Sequence, residues 1–289
     1  MRLGIDIGGT FVKMALYDAE FRVIAKSSET FVADAAQQVL AVKRIIRQAD
    51  NILENRDTPL RAIGICVPGS VNVATGVVID AHNLDFHNLP LKDLFEMHYP
   101  VPVYIANDAD AAAVAEWKLG ALQGCAYAML ITLGTGLGGG LILDGKLYTG
   151  GRGNGSEPGH MLLRAGDRAC SCGNSGCAET YCAATRLSRD GNTGTAKEVF
   201  ERAAEGDTTA QALLDAYIDD LGSYLATLVN LLDLQRIAIG GGVCHAGERL
   251  FAPLQKNVES KCFFPTCTPI VRAHFGNDAG TLGAALLGL

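Results

Sequence analysis

Residues 3–7 (L-G-I-D-I) alternate in hydrophobicity, and the pattern resumes over Phe11 to Tyr17 and Arg22 to Ala25. A period of two predicts neighbouring strands, turned at Gly8, Gly9 and Thr10. Over 34–54 the period lengthens, and Val39, Val42, Ile45, Ile46, Ala49, Ile52 and Leu53 fall on one face of a helix. Arg61 to Val67 reads as a buried strand ended by Pro68 and Gly69, and Val71 to Val73 with Val77 to Ile79 as a short hairpin leading to Asn83 in a loop. Val101 to Ala106 is the next strand, and it delivers Asn107 and Asp108 to its C-terminal end. An alanine-rich helix, Asp110 to Leu119, follows and stops at Gly120.

The opening pattern then returns. Tyr127 to Leu133 predicts a strand, Gly134 to Gly140 (G-T-G-L-G-G-G) a glycine turn, and Leu141 to Leu143 a resumed strand before Asp144-Gly145. Taken alone, the first tip fits a ligand-free Gly-Gly turn better than an anion site. Its repetition favours two loops closing on a polyphosphate, with backbone N–H groups and the Thr10 and Thr135 hydroxyls as donors and Lys13 adding charge. Downstream, Ala196 to Ala204, Thr208 to Leu232, Gly247 to Val258 and Asp278 to Leu287 read as helices. Arg236 to Ile239 is a strand closed by Gly240, Gly241 and Gly242, where a flat ring can lie against backbone. Asp108 sits where a helix N-cap belongs, and also where an α/β sheet binds ligands, at the C-terminal end of a strand beside a helix dipole that keeps a carboxylate ionised. Position alone leaves both readings open.

The densest chemistry lies between Glu157 and Glu179, which reads E-P-G-H at 157–160 and C-S-C-G-N-S-G-C-A-E at 170–179. His160, Cys170, Cys172 and Cys177 make a Cys₃His set, and Gly173 and Gly176 let the chain fold so that three thiolates converge, the pattern of a zinc site. Four protein ligands leave no open position for water, so the zinc reads as structural. The alternatives are a chance cluster in a cysteine-tolerant chain, or a disulfide pair, which would require an oxidising compartment. Glu157 and Glu179 bracket the cluster, and a metal-ordered loop that presents two acids suits a hydroxyl-rich ligand.

Composition narrows the classes. The 289 residues are 48% hydrophobic and 19% charged, enough for two compact lobes. A net charge of −7 without a basic run argues against a nucleic-acid surface. The longest apolar stretches, such as Ala126 to Leu133, fall far short of the roughly 20 residues of a spanning helix, so no membrane partner and a cytoplasmic location are expected. Nine cysteines in scattered positions suit reduced thiols; Cys66, Cys125, Cys182, Cys244, Cys262 and Cys267 receive no function.

With these residues in hand, the sequence resembles the ROK family of bacterial sugar kinases and repressors, in the actin, hexokinase and Hsp70-like ATPase clan. The resemblance rests on D-I-G-G-T at 6–10, N-D at 107–108, L-G-T-G-L-G-G-G at 133–140, the two motifs around the cysteines, and G-G-G at 240–242. It implies an α/β chain of two ribonuclease-H-like, actin-like ATPase lobes around an interlobe cleft, with a structural zinc loop. Residues 1–118 would form a small N-terminal lobe completed by the helix at 278–289, and 119–277 the large lobe. It implies further that Asp108 is the catalytic base, that Asn83, Asn107, Asp108, Glu157, His160 and Glu179 contact a sugar, and that His160 serves sugar and zinc with different ring nitrogens. Gly8, Gly9, Thr10, Lys13, Gly134, Thr135, Gly136, Gly138 and Gly139 match nucleotide-phosphate loops, Gly241 belongs to the nucleotide side, and Asp6 would hold Mg²⁺ through water.

The implied activity is ATP-dependent phosphorylation of a hexose at the 6-hydroxyl, glucose first, with allose, N-acetylmannosamine, N-acetylglucosamine, mannose and fructose behind it. The implied assembly is a homodimer. A non-catalytic sugar-sensing protein is the lesser alternative, since a repressor of this kind carries a helix-turn-helix before the first strand. Two positions depart from the family pattern near the sugar: Pro158 replaces an aliphatic residue, and no tryptophan stands near Phe86.

Overall fold

The computed structural model describes residues 1–32, 37–54, 58–166, 168–265 and 268–289. Positions 34–36 of the expected first helix and Cys267 lie outside the described residues. The chain divides into two compact units. One comprises Met1–Lys118, Leu147–Gly155 and Asn277–Leu289, the other Leu119–Lys146 and Ser156–Gly276.

In the first unit the order is β1 (Arg2–Ile7), β2 (Phe11–Tyr17), β3 (Val23–Thr30), α1 (Gln38–Leu53), β4 (Ala62–Val67), β5 (Ser70–Asn72), β6 (Val77–Ala81), β7 (Phe86–Leu89), α2 (Leu91–Glu96), β8 (Val103–Asn107) and α3 (Asp108–Leu119). In the second it is β9 (Ala128–Leu133), β10 (Leu137–Leu143), β11 (Lys146–Leu147), α4 (Glu179–Cys182), α5 (Ala184–Asp190), α6 (Ala196–Ala204), α7 (Thr208–Leu232), β12 (Arg236–Gly240), α8 (Glu248–Lys261) and β13 (Ile270–Arg272). The chain then returns to the first unit with α9 (Ala279–Leu286).

The internal repeat read from the glycines is a repeat of whole sheets. Strand orders are β3-β2-β1-β4-β8 and β11-β10-β9-β12-β13. Each sheet has an antiparallel hairpin, β1/β2 or β9/β10, continued by parallel strands, β4 and β8 or β12 and β13. That is the ribonuclease-H-like α/β pattern in both units. The turns are closed by Gly8 N–H to Phe11 C=O at 2.9 Å and by Gly134 N–H to Gly136 C=O at 3.0 Å.

Helix faces follow the hydrophobic period. Helix α1 buries Ala41, Val42, Ile45, Ile46, Ala49 and Ile52 against the first sheet, while Val39, expected on that face, is exposed. Helix α7 begins where the Asp207 carboxylate accepts from the N–H groups of Thr209 and Ala210, and it ends at Asp233 in the left-handed region. Its Leu214, Leu221, Leu225 and Val229 are buried with Met129 and Ile131 of β9, and a fully buried side chain of this kind contributes about 1.5–3 kcal/mol. Helix α9 lies directly on β1 and β4, because a Cβ at Gly64 would overlap the Ala284 carbonyl.

One expectation needs correction. The glycine run at 134–140 is not all turn, since β10 starts at Leu137 and pairs Gly138, Gly139 and Gly140 with Thr132, Ile131 and Leu130. Packing explains the glycines inside the strand. A Cβ at Gly139 would stand 2.6 Å from the Leu130 carbonyl oxygen and 2.9 Å from Pro158 Cγ, so glycine there lets the E-P-G-H turn rest on the strand.

Candidate active site

In the first unit the candidate residues gather at the C-terminal ends of β1, β4 and β8, where α/β sheets bind ligands. Asp6 pairs in register with Cys66 on β4 and with Lys13 on β2. Burial raises the Asp6 pKa, opposed by the Lys13 charge and by the thiol hydrogen bond from Cys66. Gly9 lies against Asn83, whose carbonyl oxygen would be 3.2 Å from a Cβ at position 9. Asn83 is exposed on a single helical turn, His82–Leu84.

Asn107 is the last residue of β8. Its Oδ1 accepts from the N–H groups of Ala109 at 2.8 Å and Asp110 at 3.4 Å, and its Nδ2 donates to the Gly69 carbonyl at 3.0 Å. The capping duty therefore falls to Asn107. Asp108 is exposed in the first turn of α3, with Oδ1 accepting the Ala109 N–H at 2.8 Å. Beneath it, the fully buried Cys66 feels both Asp6 and Asp108; burial first and then the two carboxylates hold its thiol well above the ordinary range.

In the second unit a metal-sized cluster forms. One donor atom each from His160, Cys170, Cys172 and Cys177 lies within 4.8 Å of the others. Cys172 Sγ is 3.7 Å from Cys177 Sγ, and Cys170 Sγ is 3.6 Å from His160 Nδ1. Tetrahedral zinc with its usual bond lengths requires about 3.8 Å between sulfurs and about 3.6 Å between sulfur and nitrogen, so the set has the size of an ion-binding shell. Nδ1 faces the sulfurs, which leaves Nε2 for a second partner.

Local backbone pairing brings these four together. Ala178 N–H donates to the Met161 carbonyl at 2.8 Å, Leu162 bridges to Cys177, and Cys170 N–H donates to the Asn174 carbonyl at 2.8 Å. Gly173 and Gly176 have φ of 92° and 86°, a left-handed conformation that only glycine adopts readily.

The acids sit beside the glycine hairpin. Glu179 opens α4, and its Oε2 accepts the Leu137 N–H at 2.9 Å while Oε1 lies 4.0 Å from Cys170 Sγ. Glu157 precedes the turn Pro158–His160; loss of hydration raises its pKa, with His160 opposing and Glu179 adding to the rise. Gly241 has φ of 95° and lies on the Leu133 carbonyl, so the glycine triplet abuts the start of the 134–136 loop. Phe86 and Pro158, the two departures, are both buried. Phe86 packs edge-on to Phe31 at 5.9 Å.

Sequence reasoning missed Thr185. Its Oγ1 donates to the Thr135 carbonyl at 2.6 Å and its N–H to the Gly134 carbonyl at 3.3 Å, tying the start of α5 to the loop. A lone threonine at a helix start gives no signal of a partner fifty residues away.

Comparison with known proteins decides the family. A sequence model of the ROK family matches residues 2–289. The chain belongs to the ROK family. It is 33% identical to a glucokinase of Halalkalibacterium halodurans, over 99% of this chain and 94% of that protein. It is 31% identical to an N-acetylmannosamine kinase of Haemophilus influenzae, over 98% of this chain and 93% of that one. Among solved structures, a ROK family glucokinase from Streptomyces griseus in complex with glucose and AMPPNP superposes with a TM-score of 0.82 at 31% identity, covering 98% of this chain and 97% of that one.

Proposed function

We propose that this ROK protein is an ATP-dependent sugar kinase that phosphorylates a hexose at its 6-hydroxyl, with glucose as the preferred acceptor. One observation carries the reading: Glu179, which we assign to the acceptor hydroxyls, accepts the Leu137 N–H at the end of the glycine loop that we assign to phosphate. Acceptor recognition and phosphate recognition thus share one hairpin, as phosphoryl transfer requires. The glucokinase relatives support glucose, and the N-acetylmannosamine kinase relative makes that sugar the first competitor.

In this reading Asp108 takes the proton from the attacking hydroxyl, and its exposed place at a helix N-terminus favours the ionised base. Asn83, Asn107, Glu157, His160 and Glu179 hold the sugar hydroxyls. Backbone N–H groups of Gly9, Thr10, Thr135 and Gly136, with Lys13 and the Thr10 and Thr135 hydroxyls, hold phosphate oxygens, while the Gly8 and Gly134 N–H groups close the two turns. Gly138 and Gly139 shape the strand behind the loop, and Gly241 borders the nucleotide.

Two metals fit the residues. A single carboxylate at Asp6 suits Mg²⁺, which keeps most of its waters and binds through few protein groups, and which neutralises phosphate charge when bound. His160, Cys170, Cys172 and Cys177 suit structural zinc, which orders the loop. Cytoplasmic residence and a homodimer complete the reading. Cys66, Cys170, Cys172, Cys177, Cys182 and Cys244 form no disulfide, which supports a reducing compartment, and no helix among the described residues is long and apolar enough to cross a membrane.

The test is ADP release with ATP and a panel of glucose, N-acetylmannosamine, N-acetylglucosamine, allose, mannose and fructose. Glucose should give the highest kcat/KM. ADP release that no sugar stimulates would overturn the kinase reading, and a preference for N-acetylmannosamine would overturn the choice of glucose.

A further inference from the structure

Position 136 lies in the loop assigned to phosphate, yet the group it faces is an acid assigned to sugar. A Cβ built at Gly136 would overlap Glu179 Oε2 and stand 3.1 Å from Glu179 Cδ and 3.8 Å from Glu179 Oε1, and beyond the chain neighbours no other described residue comes nearer than these. The backbone at 136 is not in the left-handed region, so conformation does not demand glycine there. The demand comes from Glu179.

That carboxylate is held by a backbone donor and lies next to the cysteine cluster. Oε2 accepts the Leu137 N–H at 2.9 Å, and Oε1 lies 4.0 Å from Cys170 Sγ of the cysteine cluster. Thr185 bonds the carbonyls of Gly134 and Thr135 in the same loop. The loop is therefore tied to both Thr185 and Glu179, and of these two Glu179 also belongs to the acid pair.

We propose that Glu179 braces the 134–137 loop as well as binding the acceptor, so that Gly136 is a positioning residue for the sugar and Glu179 a positioning residue for the nucleotide. This rests on the sugar-kinase reading above for the identity of the two ligands. The physical reason is asymmetric cost. An alanine at 136 meets only the far end of a flexible side chain, so the fold accommodates it by pushing the carboxylate aside. The displacement is about 1 Å, a scale at which a misplaced group can lose on the order of 10²-fold in activity. In reverse, removing the Glu179 side chain takes a charged acceptor from the Leu137 N–H, and charge-assisted bonds of this kind are roughly twice as strong as neutral ones.

The experiment is calorimetric titration of wild type, Gly136→Ala, Gly151→Ala and Glu179→Ala with glucose and, separately, with AMPPNP. Gly136→Ala should weaken glucose binding about tenfold or more without nucleotide present, with AMPPNP weakened less. Gly151→Ala, whose Cβ meets nothing within 4 Å and which lies outside the loop, should leave the glucose Kd within about twofold. Glu179→Ala should weaken AMPPNP about three- to tenfold with no sugar present. An unchanged glucose Kd in Gly136→Ala overturns the role of position 136. An unchanged AMPPNP Kd in Glu179→Ala overturns the brace, and this arm decides even if Gly136→Ala fails to fold. Wild type that binds AMPPNP but no hexose of the panel would instead sink the acceptor assignment, leaving the AMPPNP arm intact as a test of the brace.

Discussion

The Cys66 thiol donates to Asp6 Oδ1 across 3.6 Å, at the register position where β4 pairs with β1. The same sulfur is 3.5 Å from the Gly280 carbonyl, and a Cβ at Gly280 would stand 2.8 Å from Asp6 Oδ2. The carboxylate proposed to face the metal and phosphates is thus fixed from two sides by groups that carry no charge. Such a site holds Asp6 in place, and the Cys66 hydrogen bond and the Lys13 charge offset only part of the cost of its burial.

That cost predicts a gain of stability from removing the charge. The folded Asp6 pKa is raised above its ordinary value, so the stability it contributes is fully present below the unfolded carboxylate pKa of about 3.9 and is lost as pH rises through the folded value. Asp6→Asn cannot ionise and escapes the loss. Its Tm, measured without nucleotide or metal, should exceed that of wild type at pH 7.5, with the gap closing toward pH 4. Each kcal/mol is worth about 2–4 °C in a domain of comparable size. Kinase activity should fall sharply in the same variant. A wild-type Tm equal to or above that of Asp6→Asn at pH 7.5 would count against buried charge as the dominant cost.

Gly64→Ala tests how α9 is seated. The added carbon overlaps the backbone carbonyl of Ala284, which cannot swing aside as a side chain can, so the helix must lift from β4. Overpacking of this kind costs about 1–3 kcal/mol and here should reach the upper end. Thermal denaturation should show the loss. A variant as stable as wild type would mean that α9 sits farther from the sheet.

Asp108→Asn tests the base. Asparagine keeps the shape and the bond to the Ala109 N–H, since an amide oxygen also accepts. General-base loss costs about 10²–10⁴ in rate, so kcat should fall by that much while the sugar Kd stays near wild type. Turnover above roughly a tenth of the wild-type rate would remove Asp108 from the mechanism.

The sequence disclosed what is local. The two hairpins, the alternation of β1 and β2, the one-sided period of α1 and α7, and the Cys₃His spacing each lie within a few dozen residues, and each appears in the fold. Contacts between distant segments were illegible. Cys66 meets Asp6 and Gly280 only because α9 crosses β1 and β4, and Thr185 meets Thr135 only because α5 starts beneath the loop. Short elements escaped for a related reason. Helix α2 and strands β7 and β13 span six, four and three residues, too few for a period to show, and tertiary packing decides them. The glycines of β10 misled because a turn former and a packing gap look alike in sequence; only the presence of Pro158 above Gly139 tells them apart.

Metal loss should act on the sugar before it acts on the fold. Of the four cluster residues Cys177 is buried and Cys172 is exposed, and the cluster lies outside the buried core that packs α7 and α8 on the second sheet. Structural zinc is worth about 10–16 kcal/mol in small finger peptides, where it supplies the folding energy, but a unit with its own core needs it only locally. The bonds that would slacken are those tying 157–162 to 177–179, such as Ala178 N–H to the Met161 carbonyl, and with them Glu157, His160 and Glu179 lose their common placement. Elemental analysis of wild type purified without added metal should give about one zinc per chain, and Cys172→Ala should give far less. In that variant far-UV circular dichroism should match wild type, glucose affinity should fall about tenfold or more, and AMPPNP affinity should fall by a smaller factor. Strong chelation of wild type should reproduce the pattern, and restoring zinc should reverse it. Wild type that contains no zinc and still phosphorylates glucose at full rate would reduce the cluster to ordinary cysteines and leave the placement of the three acceptor residues to the polypeptide alone.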